Sequence, residues 1–133
     1  MSNSRRKEKE ELTAVIAICD DVRKSDRKIR HLGYYDSFGR ILYDSIREKL
    51  IHLEGTEEMH ILNGTMASML NLWKPASPLI GKVQSFIMIR EKIVGLIIPH
   101  DRGNYFLVIF EARTPIQNVE KARARLNRLL NVA

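Results

Sequence analysis

The chain has 133 residues, the length of one domain, which can bury roughly two-thirds of its unfolded surface without covalent staples. Its 22 basic and 16 acidic side chains give a net charge of +6 and a pI near 9.7, which permits attraction to nucleic acid or an anionic membrane without establishing either. The one cysteine, Cys19, excludes an internal disulfide, the charged stretch from Met1 to Glu11 does not resemble a signal peptide, and no apolar run approaches spanning length, so the expectation is a cytoplasmic single domain over 1–133 with no membrane span.

Residues 4–24 read as a helix whose first turns, up to residue 11, form a solvated extension. Its second half carries Leu12, Val15, Ile16, Cys19 and Val22 at helical spacing, an apolar stripe that can lie on a sheet. Cys19 falls inside that stripe and reads as a small buried apolar residue rather than a reactive thiol. The charge of the first turns is largely self-compensated. Uncompensated positive charge gathers in Arg23, Lys24, Arg27, Lys28 and Arg30, and again in Lys121, Arg123, Arg125 and Arg128.

Next comes a β-hairpin, Ile29 to Tyr35 and Arg40 to Ile46, around a turn at Asp36, Ser37, Phe38 and Gly39. Asp first and Gly fourth is the composition of a type I turn, and the D-x-x-G is too short to specify a nucleotide loop. Residues 47–55 are ambiguous: Leu50, Ile51 and Leu53 can dock a connecting loop or a short helical turn. Thr56 then reads as the N-cap of a helix with Glu57 and Glu58 in its first turn and Met59, Leu62, Met66, Leu70 and Trp73 on one face. Gly64, with Ala67 and Ser68, marks a place where another helix can approach closely. Pro75 and Pro78 close this helix, and the PASP stretch reads as an extended connection.

Residues 82–112 form a meander of three antiparallel strands around which the rest is organised. Val83 to Ile89 places Val83, Ser85, Ile87 and Ile89 on a core face and Gln84, Phe86 and Met88 on a second, partly wet face. Ile93 to Ile98 ends at Pro99, which cannot donate to a ladder, and His100 to Asn104 supplies the turn into Tyr105 to Phe110. The last two runs are continuously apolar, the mark of central strands covered on both faces. Thr114, Pro115 and Gln117 read as a Thr-x-x-Gln capping box with proline at the first helical position, and Ile116, Val119, Ala122, Leu126, Leu129 and Leu130 give the final helix its stripe.

The predicted fold class is therefore α+β, a five-stranded antiparallel sheet with helices in the order αββαβββα. Helices cover one face and something else, a second copy included, the remainder. No catalytic, metal or cofactor site is expected. His31, His52, His60 and His100 lack metal-ligand spacing, and there is no phosphate loop, nucleophile elbow or Ser/His/Asp set.

From the hairpin IRHLGYYDSFGRILYDS through the middle helix to the meander and last helix, the chain resembles the roadblock family of dynein light chains and small-GTPase regulators, a roadblock/longin/profilin-like arrangement. It also resembles a group of uncharacterised archaeal proteins in Gly39, Arg40 and Ile41, in Arg47 and Glu48, and in Arg90, Glu91, Lys92 and Ile93. The roadblock resemblance implies a homodimer in which the middle helix and first meander strand pair across a twofold axis. Met66, Met69, Leu70, Trp73, Gln84, Phe86 and Met88 are then the interface residues, and a small-GTPase-like partner docks on the composite surface. Arg40, Arg90 and Arg102 are candidates to supply a charge to that partner. The alternative is a nucleic-acid-binding protein using Arg23, Lys24, Arg27, Lys28 and Arg30 with Lys121, Arg125 and Arg128, where Tyr34, Tyr35 and Phe38 stack on bases. A third reading, a small-ligand sensor, requires a pocket with convergent polar groups.

Overall fold

The computed structural model describes residues 2–47 and 57–132. Helix α1 (Ser2–Lys24) leads into strands β1 (Ile29–Tyr35) and β2 (Ile41–Ile46), followed by helix α2 (Glu57–Trp73). A 3-10 turn (Lys74–Ala76) and a single helical turn, α3 (Ser77–Ile80), precede strands β3 (Phe86–Ile89), β4 (Ile93–Pro99) and β5 (Tyr105–Glu111) and helix α4 (Ile116–Val132). The five strands form one antiparallel sheet in the order β2-β1-β5-β4-β3. The expected class and order of elements hold, with α3 added. Thr56 and the reading of 47–55 lie, apart from Arg47, outside the described residues.

The two continuous apolar runs occupy central positions, as their composition requires. Along β5, Phe106, Val108 and Phe110 face one way and Tyr105, Leu107 and Ile109 the other, and both sets are buried. The first set meets Val15, Ile18, Cys19 and Val22 of α1 and Val119, Ala122 and Leu126 of α4. The second meets Met66, Ala67 and Leu70 of α2. A large apolar side chain fully removed from water contributes about 1.5–3 kcal/mol, so each helix is held chiefly by its buried stripe. Ile18 belongs to that stripe although the spacing argument passed over it.

Gly39 at the β1-β2 turn has φ +84°, and a Cβ there would stand 2.8 Å from the Asn63 carbonyl oxygen and 2.9 Å from the Gly64 Cα. The close approach that Gly64 and Ala67 suggested is thus made by a hairpin turn, not by a second helix. Asp36 organises this turn: its carboxylate accepts the amides of Phe38 (2.8 Å) and Arg40 (3.0 Å) and the Arg40 guanidinium (2.8 Å).

Other expectations need correction. The PASP stretch is helical rather than extended, because Pro75 and Pro78 each fall in the first turn of a short helix, where a missing N–H costs nothing. β3 begins at Phe86 rather than Val83. Extending its register would set Gln84 opposite Pro99, which has no amide to offer. Its faces are also exchanged: Phe86 and Met88 pack toward the α2 layer, while Ile87 and Ile89 stand exposed. Thr114 turns its hydroxyl back to donate to the Glu111 carbonyl (2.7 Å), so the expected reciprocal capping box is not its arrangement.

Candidate interaction surfaces

α2 places its apolar residues on two sides. Met66 and Leu70 are buried in the chain's own core, and Met69 is half-buried against it. On the outward side, Ile61, Thr65, Ser68 and Leu72 recur at helical spacing and are exposed, Leu72 to 76 %. Trp73 at the end of α2 is 48 % exposed, and Leu79 and Ile80 of α3 are exposed as well. At the β3 edge of the sheet, the Arg90 amide donates to the Ile93 carbonyl (2.9 Å), which turns the main-chain groups of Met88 and Phe86 toward β4 and those of Ile87 and Ile89 outward. Gln84 is exposed just before this strand, and Phe86 and Met88 are half-buried beneath it. Of the expected interface residues, Trp73 and Gln84 are exposed, Met69, Phe86 and Met88 are half-buried against the core, and Met66 and Leu70 are buried in it. Sequence reasoning missed the Ile61-Thr65-Ser68-Leu72 stripe, because two small polar residues dilute its apolar signal.

The basic residues are more widely engaged than their count suggests. Arg30 and Arg47 both bind the Glu111 carboxylate at 2.9 Å. Arg125 binds Asp21 (2.5 Å), joining α4 to α1, and Arg123 binds Glu120 (2.8 Å). Arg125 as first contact holds the Asp21 carboxyl below its ordinary range. Arg23 donates to the Ser45 hydroxyl (3.1 Å). Lys24, Arg27, Lys28, Lys121 and Arg128 are exposed. Of the three aromatics, Tyr34 and Tyr35 are buried in the sheet. Phe38 is exposed but lies past the far end of β1 from Arg23–Arg30, beneath the Arg40 guanidinium at 5.3 Å. The one exposed ring of the three is therefore not set beside the basic segment 23–30. Of the candidate trans-acting arginines, Arg40 is paired with Asp36, Arg102 is paired with Glu11 (2.8 Å), and Arg90 is exposed at the β3-β4 turn.

An open cleft of about 640 Å³ lies between the first half of α1 and the β4-β5 loop, with Leu12, Val15, Leu42 and Leu130 in its apolar lining. Its buried and half-buried polar groups bond to one another. Asn104 donates to the Tyr34 hydroxyl (3.1 Å), which donates in turn to His100 Nδ1 (2.7 Å). Burial is the main cause that lowers the His100 pKa, consistent with a neutral ring accepting at Nδ1. Glu8, Glu10, Glu11 and Asp101 lie around it with Lys7 and Arg102, and Arg102 is paired with Glu11.

On the α2 side of the sheet, buried His31 meets Asp44 through Nε2, and Tyr35 lies edge-on to its ring. Among the described residues no group of three or more His, Cys, Asp or Glu side chains is arranged to hold a metal ion. Cys19 is fully buried, and burial first, then the Asp20 and Asp44 charges, pushes its pKa up to about 12. No described helix is long and apolar enough to cross a membrane.

No family model and no curated protein matches the chain. Solved structures do. The gliding protein MglB of Thermus thermophilus superposes with a TM-score of 0.66 at 12 % identity over 92 % of either chain. Myxococcus xanthus MglB gives 0.63 at 19 % identity over 92 % of either chain. A Roadblock/LC7 domain from Streptomyces avermitilis gives 0.65 at 7 % identity over 88 % of this chain and 92 % of its own. At such identities the likeness establishes the fold: the chain has the Roadblock/LC7 fold. Nothing in it bears on the archaeal resemblance.

Proposed function

We propose that the protein is a homodimeric interaction module of roadblock type, without chemistry of its own, that scaffolds or regulates a small-GTPase-like partner in the cytoplasm. One observation supports the reading: α2 leaves apolar side chains exposed on its outward stripe while the edge of β3 leaves main-chain groups without a partner among the described residues. Solvent-facing clusters of that kind are covered in a stable soluble protein, and an open edge invites a second strand. Two copies related by a twofold axis satisfy both at once, with β3 against β3 and α2 against α2. The fold shared with MglB and Roadblock/LC7 domains supports this, and a structure described as MglB with a tetrameric arrangement, 15 % identical, shows that a protein of this fold assembles. The GTPase partner comes from the roadblock resemblance of the sequence.

Light scattering at low and high salt tests the dimer. The expected result is a salt-insensitive dimer that Leu72→Glu converts to a folded monomer. Met88→Lys should act in the same direction, with added loss of stability because its side chain also packs toward Gly95 (3.5 Å from the Met88 Cε to a Cβ placed there). A monomer at every concentration would refute the reading.

A further inference from the structure

The proposed twofold contact uses β3 only. At the other side of the sheet, with three strands between, β2 pairs with β1 alone among the described residues. The Arg47 amide donates to the Arg30 carbonyl (2.9 Å), so the main-chain groups of Ser45 and Tyr43 turn toward β1 and those of Ile46 and Asp44 turn outward. Three side chains of this strand, Ile41, Leu42 and Ile46, are about two-fifths exposed, at 40, 42 and 42 %. A register shift opposite Tyr34 and Tyr35 confines the regular part of the edge to Tyr43–Arg47.

Charge accumulates along one side of this edge. Tyr43 and Ser45 face α1, where Tyr43 donates to Asp20 (2.8 Å) and Ser45 accepts from Arg23 (3.1 Å). The end of α1 and the following turn therefore bring Arg23, Lys24 and Arg27 beside β2, and the Arg47 guanidinium reaches the Arg27 carbonyl. Arg23, Lys24 and Arg27 form no close ion pair among the described residues, whereas Arg30, Arg40 and Arg47 do; the Asp20 carboxylate, whose charge is felt by Arg23 and Lys24, leaves this group of three cations in excess. Ile46 falls on the opposite face of the strand from Ser45 and Arg23.

We propose that β2 is a strand-addition site for an extended segment of a partner protein in which apolar and acidic residues alternate. Main-chain bonds to Asp44 and Ile46 hold the segment, its apolar residues cover Ile46, and its carboxylates face Arg23, Lys24 and Arg27. This gives the excess positive charge a target that needs neither base stacking nor a membrane, and it does not depend on the dimer.

The test uses the full chain and a fluorescein-labelled, end-capped octapeptide of alternating valine and glutamate. A valine-lysine octapeptide and an oligothymidylate serve as competitors of other chemistry. The valine-glutamate peptide is expected to bind and to slow hydrogen exchange at the Asp44 and Ile46 amides. Ile46→Thr keeps the amide and should change affinity by less than about threefold, whereas Ile46→Pro removes an outward amide without touching the β1 ladder and should weaken binding about tenfold. Exchange at Asp44 and Ile46 in the unaltered chain decides the matter if the proline variant does not fold. No binding of the valine-glutamate peptide, equal loss in both Ile46 variants, or tighter binding of either competitor would overturn the proposal.

Discussion

Gly39 and Gly64 face one another across the contact between the hairpin turn and α2, yet replacing each by alanine should move stability in opposite directions. At Gly39 the backbone has φ +84°, a left-handed conformation that costs an L-residue about 1–2 kcal/mol. The new methyl would also press on helix backbone, 2.8 Å from the Asn63 oxygen and 2.9 Å from the Gly64 Cα. That carbonyl cannot easily yield, since the buried Tyr105 hydroxyl donates to it at 2.7 Å. Overpacking against rigid atoms adds about 1–3 kcal/mol, so Gly39→Ala should destabilise by roughly 2–5 kcal/mol. For a domain of this size that corresponds to a fall in Tm on the order of 10 °C. At Gly64 an added Cβ meets nothing within 4 Å, and alanine in a helix interior gains about 0.5–1 kcal/mol. Urea unfolding followed by circular dichroism measures both. Equal and small effects, or a Gly39→Ala protein as stable as the parent, would refute the packing argument.

Three further outcomes follow from named groups. Cys19, buried and with its pKa pushed up to about 12, should resist maleimide in the native protein and react fully in urea, and rapid native labelling would contradict its placement. Stability should fall in acid. For Asp36, burial alone would raise the pKa, but bonds from the Arg40 and Phe38 amides and the Arg40 side chain outweigh it and leave it below the ordinary 3.8; Asp20 is lowered likewise, its Ser45 and Tyr43 contacts outweighing burial. A carboxylate depressed on folding contributes fully above about pH 4 and loses that contribution as pH falls through its folded value, so Asp36→Asn should be less stable at pH 7 and show a shallower decline below pH 4. His100 acts in the same direction at higher pH, because burial lowers its pKa below the ordinary 6.5 and the unfolded chain takes up the proton first; His100→Gln should reduce the loss of stability between pH 7 and 5.

Much of the fold was legible because its signals are local or periodic. The D-x-x-G turn declares itself through Asp36 and Gly39, Pro99 marks the end of β4, and the unbroken apolar runs of β4 and β5 demand cover on both faces. What was illegible depends on neighbours. Apolar residues on both sides of β3 cannot say which side meets the core, and the register of β4 set that. Proline in PASP suits an extended chain and a first helical turn equally well, and the tertiary path chose the latter. The two sides of α2 were hard to tell apart for a related reason: the strongest apolar spacing, through Met66 and Leu70, belongs to the core, while the outward stripe mixes Ile61 and Leu72 with Thr65 and Ser68. Clustered arginines looked unpaired in sequence because Glu111 is 81 residues from Arg30 and Asp21 is 104 from Arg125.

Whether β3 pairs across a twofold axis can be read from hydrogen exchange at the Ile87 and Ile89 amides. These amides point away from β4, so only a partner strand can protect at least one of them. Protection is expected at concentrations where light scattering reads a dimer, and its loss on dilution or in Leu72→Glu. Exchange of both at the rate of a free edge, in a sample whose mass is dimeric, would show that the copies meet elsewhere.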